Sequence, residues 1–360
     1  MPVIPGGARI NVGFVAPCLR EGGGEHWMRD LIDAVDANPG SYRVNWQGVA
    51  VLDDQANASN NMHWDMLNKV GFVDYTEGAL YRLAYVCDVL ISWAVYPFHS
   101  MLAIMAKPPP IIFVSHRADE PWSTTTQNWL AFVSAVVCVN AITRANVPPQ
   151  FASITQGIRN YVNINRFLAS STRASMLTGW GIPASAAKIV GYLGRLDPER
   201  RPLLMAEVAK LIPANWFVVV AGEGGLSGQL TQAITAPGSQ GNLVITGEST
   251  NVGSFFNGID WLVNPTSHES FGKSLGEAWW QGIPTISTPY GLAAEQPAYT
   301  RTLPVNPTAA DIHAALMTDF NDATGTADRA TAAQSYAQTT LVPSDCGVPW
   351  SALLDKFHPV

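Results

Sequence analysis

Charged residues are scarce in this chain. Asp, Glu, Lys and Arg make up 14% of its 360 residues, whereas apolar residues make up 47%. This balance excludes a disordered chain and favours large buried cores, and the length suffices for two domains of ordinary size. The formal net charge of -7 argues against a broad basic face that would hold nucleic acid without regard to its sequence.

Cysteine is also rare, and long apolar runs are missing. The four cysteines, Cys18, Cys87, Cys138 and Cys346, are scattered and match no zinc spacing, so we expect free thiols, as in a reducing compartment. The longest apolar runs, such as 133–139, are too short to span a bilayer, and residues 1–7 are too short and too interrupted to predict a signal peptide. The sequence predicts a cytoplasmic protein and leaves peripheral association with a membrane open.

Patterns that hold a metal ion are absent from the sequence. The seven histidines show no metal-ligand spacing. An Asp-x-Asp motif, which would hold a divalent cation on a diphosphate, does not occur, and the neighbouring pair Asp53 and Asp54 has no spacer residue. We therefore expect neither a metal nor another cofactor.

Short apolar runs alternate with helical patterns twice along the chain. In the first half, strands are predicted at 10–16, 44–51, 89–93, 111–115 and 135–139, with a helix over 25–35. In the second half, strands are predicted at 189–193, 217–221, 243–246, 261–263 and 285–287, with helices over 202–211 and 273–281. Apolar strands that alternate with helices indicate parallel sheets covered on both faces. The predicted fold class is α/β, with two doubly wound, Rossmann-like domains and ligands bound beyond the carboxyl ends of the strands, in the cleft between them.

Four segments follow from these patterns. We expect a first domain over 1–165, a linker over 166–186, a second domain over 187–340 and a C-terminal segment over 341–360 that packs back on the first domain. The linker region is rich in Asn, Ser, Thr and Ala and shows little periodicity.

The segment 268–277 is the most informative part of the chain. Glu269 and Glu277 lie eight positions apart around a Phe-Gly pair, between an apolar run and a helical pattern. A strand, a glycine turn and a helix start form an arrangement that binds phosphate through backbone N–H groups and the helix dipole. A carboxylate on each side of the turn could accept hydrogen bonds from hydroxyl groups. The phosphate-binding turn and the two carboxylates together suggest that the ligand is a sugar nucleotide. An ordinary helix start is the alternative.

A second segment, 191–202, places cations at the end of a predicted strand. Arg195 follows the strand, and Arg200 or Arg201 precedes the next helix. Guanidinium groups suit a diphosphate because the planar fork bonds two oxygens at once. A solvated charged turn is the alternative.

Taken in order, these motifs resemble the C-terminal domain of the GT-B glycosyltransferases, specifically glycosyltransferase family 4. The similarity spans about residues 187–296 and rests on these motifs: Gly-Arg-Leu with a cation five residues after its Arg, Ala-Gly-Glu-Gly at 221–224, Glu-Ser-Phe-Gly to Glu-Ala at 269–278, and Gly-Ile-Pro at 282–284. A weaker N-terminal similarity covers the glycines at 22–24 with Glu25, His116, and 156–167.

The resemblance implies a donor site. Arg195 and Arg200 would neutralise the diphosphate of the donor, and Glu269 would bind hydroxyls of the transferred sugar. Glu277 would bind the ribose. The backbone of three further residues would contact sugar and phosphate: Phe271, Gly272 and Lys273. Gly222 belongs to the same predicted donor-binding set.

The resemblance also implies roles in the first domain. Gly23 and Gly24 would let the backbone approach the donor phosphate or the acceptor. His116 would line the cleft near the reacting anomeric carbon. The residues predicted to carry catalysis are His116, Glu269, Arg195 and Arg200.

Three departures from the family pattern stand out. Ser270 replaces a usual Gly, and Gly276 replaces an apolar residue before Glu277. A Glu-bearing motif after the next strand is altered, which leaves the role of Glu295 open. We expect these changes to alter the choice of sugar.

The resemblance predicts a retaining, metal-independent glycosyltransferase that uses a nucleotide diphosphate sugar, with UDP first and GDP next. A GT-B sugar-nucleotide epimerase and a non-catalytic nucleotide-sugar binding module are the alternatives. The acceptor is unidentified: a small or soluble one is slightly favoured, and nucleic acid and lipid acceptors stay open. Trp64, Trp93 and Trp122 are candidates for stacking on a sugar or base, although simple packing is favoured.

Overall fold

The computed structural model describes residues 8–19, 23–52, 65–93, 105–116, 122, 127–128, 132–167, 171–236, 238–249 and 251–358. The chain divides into two compact units. The first unit is Met1–Tyr161 with Val342–Val360, and the second unit is Val162–Leu341.

Each unit is built on one parallel sheet. The strands are β1 (Arg9–Ala16), β2 (Arg43–Val51), β3 (Val73–Asp74), β4 (Val89–Ser92), β5 (Ile111–Ser115), β6 (Ala135–Cys138), β7 (Thr155–Gly157), β8 (Lys188–Leu193), β9 (Trp216–Ala221), β10 (Leu243–Gly247), β11 (Trp261–Asn264), β12 (Thr285–Ser287) and β13 (Arg301–Thr302). The first sheet has the order β3-β2-β1-β4-β5-β6-β7, and the second has the order β10-β9-β8-β11-β12-β13. The parallel pairing confirms the predicted α/β class.

Helices connect and cover these strands. The α-helices are α1 (Gly23–Ala37), α2 (Glu77–Val86), α3 (Ala141–Ala145), α4 (Arg173–Gly179), α5 (Leu203–Leu211), α6 (Ser227–Ile234), α7 (Val252–Gly258), α8 (Lys273–Trp280), α9 (Leu292–Glu295), α10 (Ala309–Asn321), α11 (Ala323–Thr340) and α12 (Pro343–Leu354). Short 3-10 turns occur at Pro149–Ile154, Ile164–Phe167, Pro198–Arg200, Pro297–Tyr299 and Asp355–Phe357.

The inner strands are apolar because both of their faces are covered. Every residue of β4, β5 and β6 is buried. Along β5, Ile112 and Val114 face one apolar cluster, and Ile111 and Phe113 face another. Burial on both faces explains why these strands read as continuous apolar runs and not as alternating patterns.

Residues 166–186, predicted as a linker, lie within the second unit in this structure. Helix α4 is tied to the sheet through Arg173, whose Nη2 donates to Asp260 Oδ2 at 2.7 Å. Trp180, which follows α4, packs on Phe255 with ring centroids 5.8 Å apart. An added Cβ at Gly258 would lie 2.3 Å from the Trp180 ring, so the close approach of α4 and α7 requires that glycine.

Helix α12 closes the first unit, although it comes last in the chain. Its Gly347 approaches α1 so closely that an added Cβ would lie 2.1 Å from the Ala34 carbonyl oxygen. Ser351 Oγ donates to the Asn38 carbonyl at 2.6 Å, and Trp350 is fully buried in the core of this unit. The segment therefore packs on α1 along its length.

The cysteines and the apolar helices of the structure agree with the scarcity of cysteine and of long apolar runs in the sequence. No disulfide bond joins Cys18, Cys87, Cys138 and Cys346. Burial raises the pKa of the Cys87 thiol to about 12, so that thiol stays protonated at neutral pH. Among the residues that the structure describes, no helix has both the length and the apolar character that crossing a membrane requires.

A buried carboxylate joins the last elements of the second unit. Asp319 on α10 is fully buried and accepts from Arg301 Nε at 2.7 Å and from Arg329 Nη2 at 2.6 Å. These two cations come from β13 and α11, so one carboxylate connects three elements.

We expect Asp319→Ala to lower the free energy of unfolding by about 3–5 kcal/mol, because two partly buried guanidinium groups lose their counter-charge. Urea unfolding measures this change. The matched control is Asp328→Ala at an exposed position of α11, for which we expect a change within about 0.5 kcal/mol. Equal losses in the two variants would contradict the role assigned to Asp319.

Candidate functional site

The turn after β8 carries the first predicted cation. The side chain of Arg195 is half exposed (51%) and pairs with Asp197 at 2.8 Å and Glu199 at 3.1 Å. Tyr192 stabilises the turn, because its buried hydroxyl donates a hydrogen bond to the Arg195 carbonyl at 2.8 Å. Arg195 therefore lies at the surface of the turn, beyond the carboxyl end of β8.

Arg200 is paired with one of the two predicted carboxylates. Its Nη1 donates to Glu269 Oε2 and lies 3.4 Å from the His268 carbonyl oxygen. The side chain of Arg200 is 24% exposed and that of Glu269 is 15% exposed, so the pair is mostly withdrawn from water. The Glu269 carboxylate raises the pKa of the Arg200 guanidinium above its ordinary value, which keeps the cation charged at every physiological pH.

Arg201, the sequence alternative to Arg200, has a different role. It adopts a left-handed backbone conformation with φ 51°, which is uncommon for a residue other than glycine. Its Nη1 donates to the Val305 carbonyl at 2.8 Å and the Pro265 carbonyl at 3.3 Å. The side chain of Arg201 therefore links the turn after β8 to neighbouring loops by hydrogen bonds, whereas the guanidinium of Arg200 pairs with Glu269.

The turns after β8 and β11 are joined by the Glu199 carbonyl. This oxygen accepts from Ser267 N at 2.8 Å, from Ser267 Oγ at 3.1 Å and from Thr266 Oγ1 at 3.2 Å. Sequence patterns did not identify Thr266 or Ser267 as supports of the site. Because they bond a backbone oxygen 67 or 68 positions away, no local motif could reveal them.

Helix α8 starts at the turn that the sequence singled out. Gly272 precedes it in the left-handed region, with φ 86°, and Lys273 is its first residue. The N–H groups at a helix start attract anions. Phe271 is buried and its carbonyl accepts from Leu292 N at 2.9 Å, which fixes the turn against α9.

Glu277 lies one turn into α8 and is 3% exposed. A buried carboxylate at this position is the second acidic group of the predicted donor site. The structure thus brings Arg200, Glu269 and the start of α8 into one continuous region of the second unit, with Glu277 on the same helix.

Gly276, a departure from the family pattern, has a packing role. An added Cβ would lie 3.1 Å from Leu292, 3.2 Å from Val162 and 3.5 Å from Leu341. These neighbours are apolar residues of the core of the second unit. The expectation that Gly276 alters the choice of sugar stays untested, and its surroundings explain the glycine without a substrate.

Residues 183–332 match the family model of the glycosyl transferases group 1. The matched residues all lie within the second unit. A stretch of 118 residues is 27% identical to the lipopolysaccharide core biosynthesis mannosyltransferase LpsB of Rhizobium meliloti. That similarity covers 31% of this chain and 34% of LpsB, so the matched stretch spans about a third of that relative.

Solved structures resemble the chain over almost its whole length. HepE of Anabaena, in complex with UDP-glucose, is 17% identical with a TM-score of 0.78, covering 96% of this chain and 100% of HepE. A glycosyltransferase from Rickettsia africae is 12% identical with a TM-score of 0.79, covering 97% of this chain and 98% of that protein. At these identities the similarity shows the fold, and it confirms the predicted GT-B fold.

Gly222, which lies within the matched residues, allows two strand ends to approach each other closely. An added Cβ would lie 1.9 Å from the Gly194 carbonyl oxygen, and φ is 143°. Gly194 N donates to the Ala221 carbonyl at 3.1 Å, and Leu196 N donates to the Glu223 carbonyl at 2.8 Å. The turns after β8 and β9 therefore touch through their backbones, so Gly222 shapes the turn that carries Arg195.

The predicted residues of the first unit lie at the carboxyl ends of its strands. Gly23 and Gly24 are the first two residues of α1, and His116 follows β5. His116 lies against Trp27 of α1, with ring centroids 4.6 Å apart and an interplanar angle of 72°. The helix start and His116 are therefore neighbours within this unit.

Of the remaining candidate residues, some pack against aromatic side chains and others lie outside the part of the chain that the structure describes. Trp93 and Trp122 are half-buried, and each contacts an aromatic side chain of the first unit. Trp64, Asp53 and Asp54 lie outside the described residues. Within the described ranges, no group of three or more His, Cys, Asp and Glu side chains could hold a metal ion.

We expect Gly222→Ala to destabilise the protein by more than about 2 kcal/mol, because the new methyl group would overlap the Gly194 carbonyl. The matched control is Gly228→Ala in α6, where an added Cβ meets nothing within 4 Å, and we expect a gain of up to about 1 kcal/mol from helix propensity. Chemical denaturation compares the two. A stable Gly222→Ala variant would contradict the close approach.

Proposed function

We propose that this protein is a retaining glycosyltransferase that transfers a sugar from a nucleoside diphosphate sugar, with UDP as the first candidate nucleotide, to an acceptor hydroxyl. The observation that carries the proposal is the Arg200–Glu269 ion pair in contact with the turn that starts α8. This arrangement places a charged guanidinium, a carboxylate and helix N–H groups in one region of the residues that match the group 1 glycosyltransferase model.

Each group suits one part of such a donor. A diphosphate is held by Arg195, Arg200 and the N–H groups at the start of α8, since planar guanidinium groups and helix N-termini favour phosphate oxygens. Glu269 accepts hydrogen bonds from sugar hydroxyls, and Glu277 accepts them from the ribose. Gly222 and Gly272 keep the backbone close enough for these contacts.

The chemistry rests on stabilising the leaving group. As the bond between the anomeric carbon and the diphosphate breaks, negative charge builds on the departing phosphate oxygen, and the cations together with the helix start lower the free energy of that charge. The acceptor hydroxyl oxygen bonds to the anomeric carbon and gives its proton to the departing diphosphate oxygen. His116 is proposed to lie near the anomeric carbon.

The choice of UDP is supported by HepE, whose solved complexes contain UDP-glucose and UDP. LpsB is named a mannosyltransferase, so GDP-mannose should be tested as a donor beside UDP-glucose. For the acceptor, the net charge of -7 disfavours nucleic acid, and we propose a small or soluble one. Four cysteines that form no disulfide suit the proposed cytoplasmic location.

We expect Glu277→Gln, Arg195→Ala and Arg200→Ala each to weaken UDP binding by about tenfold to hundredfold, because a hydrogen bond to a charged group contributes about 1.5–3 kcal/mol. Isothermal calorimetry with UDP measures the affinity. The matched controls are Glu207→Gln and Lys210→Ala, which remove charges of the same sign from α5, where the two pair with each other at 2.8 Å. UDP affinity that is unchanged in all three site variants would refute the site.

Product analysis separates the proposed transfer from its alternatives. Proton NMR of a reaction with UDP-glucose and a panel of sugar acceptors should show a new glycoside with the α configuration of the donor. An epimerised nucleotide sugar formed without acceptor would identify an epimerase. Tight UDP binding with no turnover of any donor would identify a binding module.

A further inference from the structure

Trp27 lies at the centre of an aromatic cluster in the first unit, composed of Trp27, Trp93, His116 and Trp350. Its ring centroid lies 4.6 Å from that of His116, 5.6 Å from that of Trp93 and 5.9 Å from that of Trp350. These distances fall within the range of favourable aromatic pairs. Trp27 itself is 3% exposed, so the contacts fix an indole that has little room to move.

The four rings come from four separate elements. Trp27 lies one turn into α1, three residues after Gly24, and Trp93 follows β4. His116 follows β5, and Trp350 lies in α12. Because β4 and β5 are neighbouring parallel strands, the side chains that follow them meet at one edge of the sheet. Trp27 connects that edge to the last helix of the chain.

The edge-to-face contact constrains the imidazole of His116. The interplanar angle between His116 and Trp27 is 72°, and that between His116 and Trp93 is 85°. A ring held on two sides at steep angles cannot turn about its Cβ–Cγ bond without losing both contacts. The orientation of the ring decides where Nδ1 and Nε2 point, and a reacting group tolerates only small displacements from its productive geometry.

We propose that Trp27 is a positioning residue for His116: its indole fixes the plane of the imidazole at the carboxyl end of β5. Trp350, which is fully buried, supports Trp27 from α12. The effect on turnover rests on the proposed function, in which His116 lies near the anomeric carbon. The effect on the orientation of the ring does not.

A crystal structure of Trp27→Leu tests the orientation directly. We expect the His116 imidazole to rotate or to occupy several conformers, while β5 and the start of α1 keep their backbone positions. A single His116 orientation equal to that of the unsubstituted protein would overturn the proposal. Should Trp27→Leu fail to fold, the same comparison is made with Trp27→Phe, which keeps an aromatic ring of smaller area.

Kinetics test the consequence. The probe is hydrolysis of UDP-glucose, in which water attacks the anomeric carbon, the bond to the diphosphate breaks and UDP leaves. We expect Trp27→Leu to lower kcat at least tenfold, or about 1.4 kcal/mol, with KM for UDP-glucose unchanged, and Trp27→Phe to restore part of the loss. A purely structural role would lower the melting temperature and leave the kcat of the folded fraction unchanged.

The matched control is Trp46→Phe. Trp46 belongs to the same apolar core and stacks on Phe14, with centroids 5.4 Å apart, and its Nε1 donates to Asp36 at 2.9 Å. This substitution costs stability without touching His116, so kcat should stay unchanged. An equal loss of kcat in Trp46→Phe would overturn the positioning role. If no variant and no unsubstituted protein turns over UDP-glucose, the proposed donor fails, and the crystal structure of Trp27→Leu still decides the orientation of His116.

Discussion

The ion pair between Arg200 and Glu269 is the interaction on which the candidate site depends. The two side chains come from turns after different strands of the second sheet, and the pair joins those turns across a gap of 69 positions in the sequence. Three hydrogen bonds to the Glu199 carbonyl reinforce the same junction. The pair therefore defines the geometry of the site as well as its charge.

A second constraint is the close approach of backbone segments in the turns of the same site. Gly222 lies against the Gly194 carbonyl, and Gly291 lies so close to Phe271 that an added Cβ would be 2.7 Å from its carbonyl oxygen. Such contacts leave the backbone of these turns few alternative conformations. The Cα atoms of their charged residues are therefore held in nearly fixed positions. A site that is organised before its ligand arrives loses less entropy on binding and can stabilise charge during the reaction.

Much of the fold could be predicted because the inner strands are buried on both faces and read as apolar runs, as at 111–115. The edge strands β3, β7 and β13 were missed because they have only two or three residues each and none of those residues is buried, so they leave no apolar run. Motif spacing identified Arg200 and Glu269 but could not show that they pair with one another. The side chain of Arg201 bonds carbonyl groups of residues that are distant in the sequence, Pro265 and Val305, and no local pattern predicts such contacts.

A crystal structure of the protein with bound UDP-glucose is the decisive test of the proposed donor site. We expect the diphosphate within hydrogen-bonding distance of Arg200 and the first N–H groups of α8, the ribose hydroxyls on Glu277, and the glucose hydroxyls on Glu269. A nucleotide bound away from these groups, with the Arg200–Glu269 pair untouched, would contradict it.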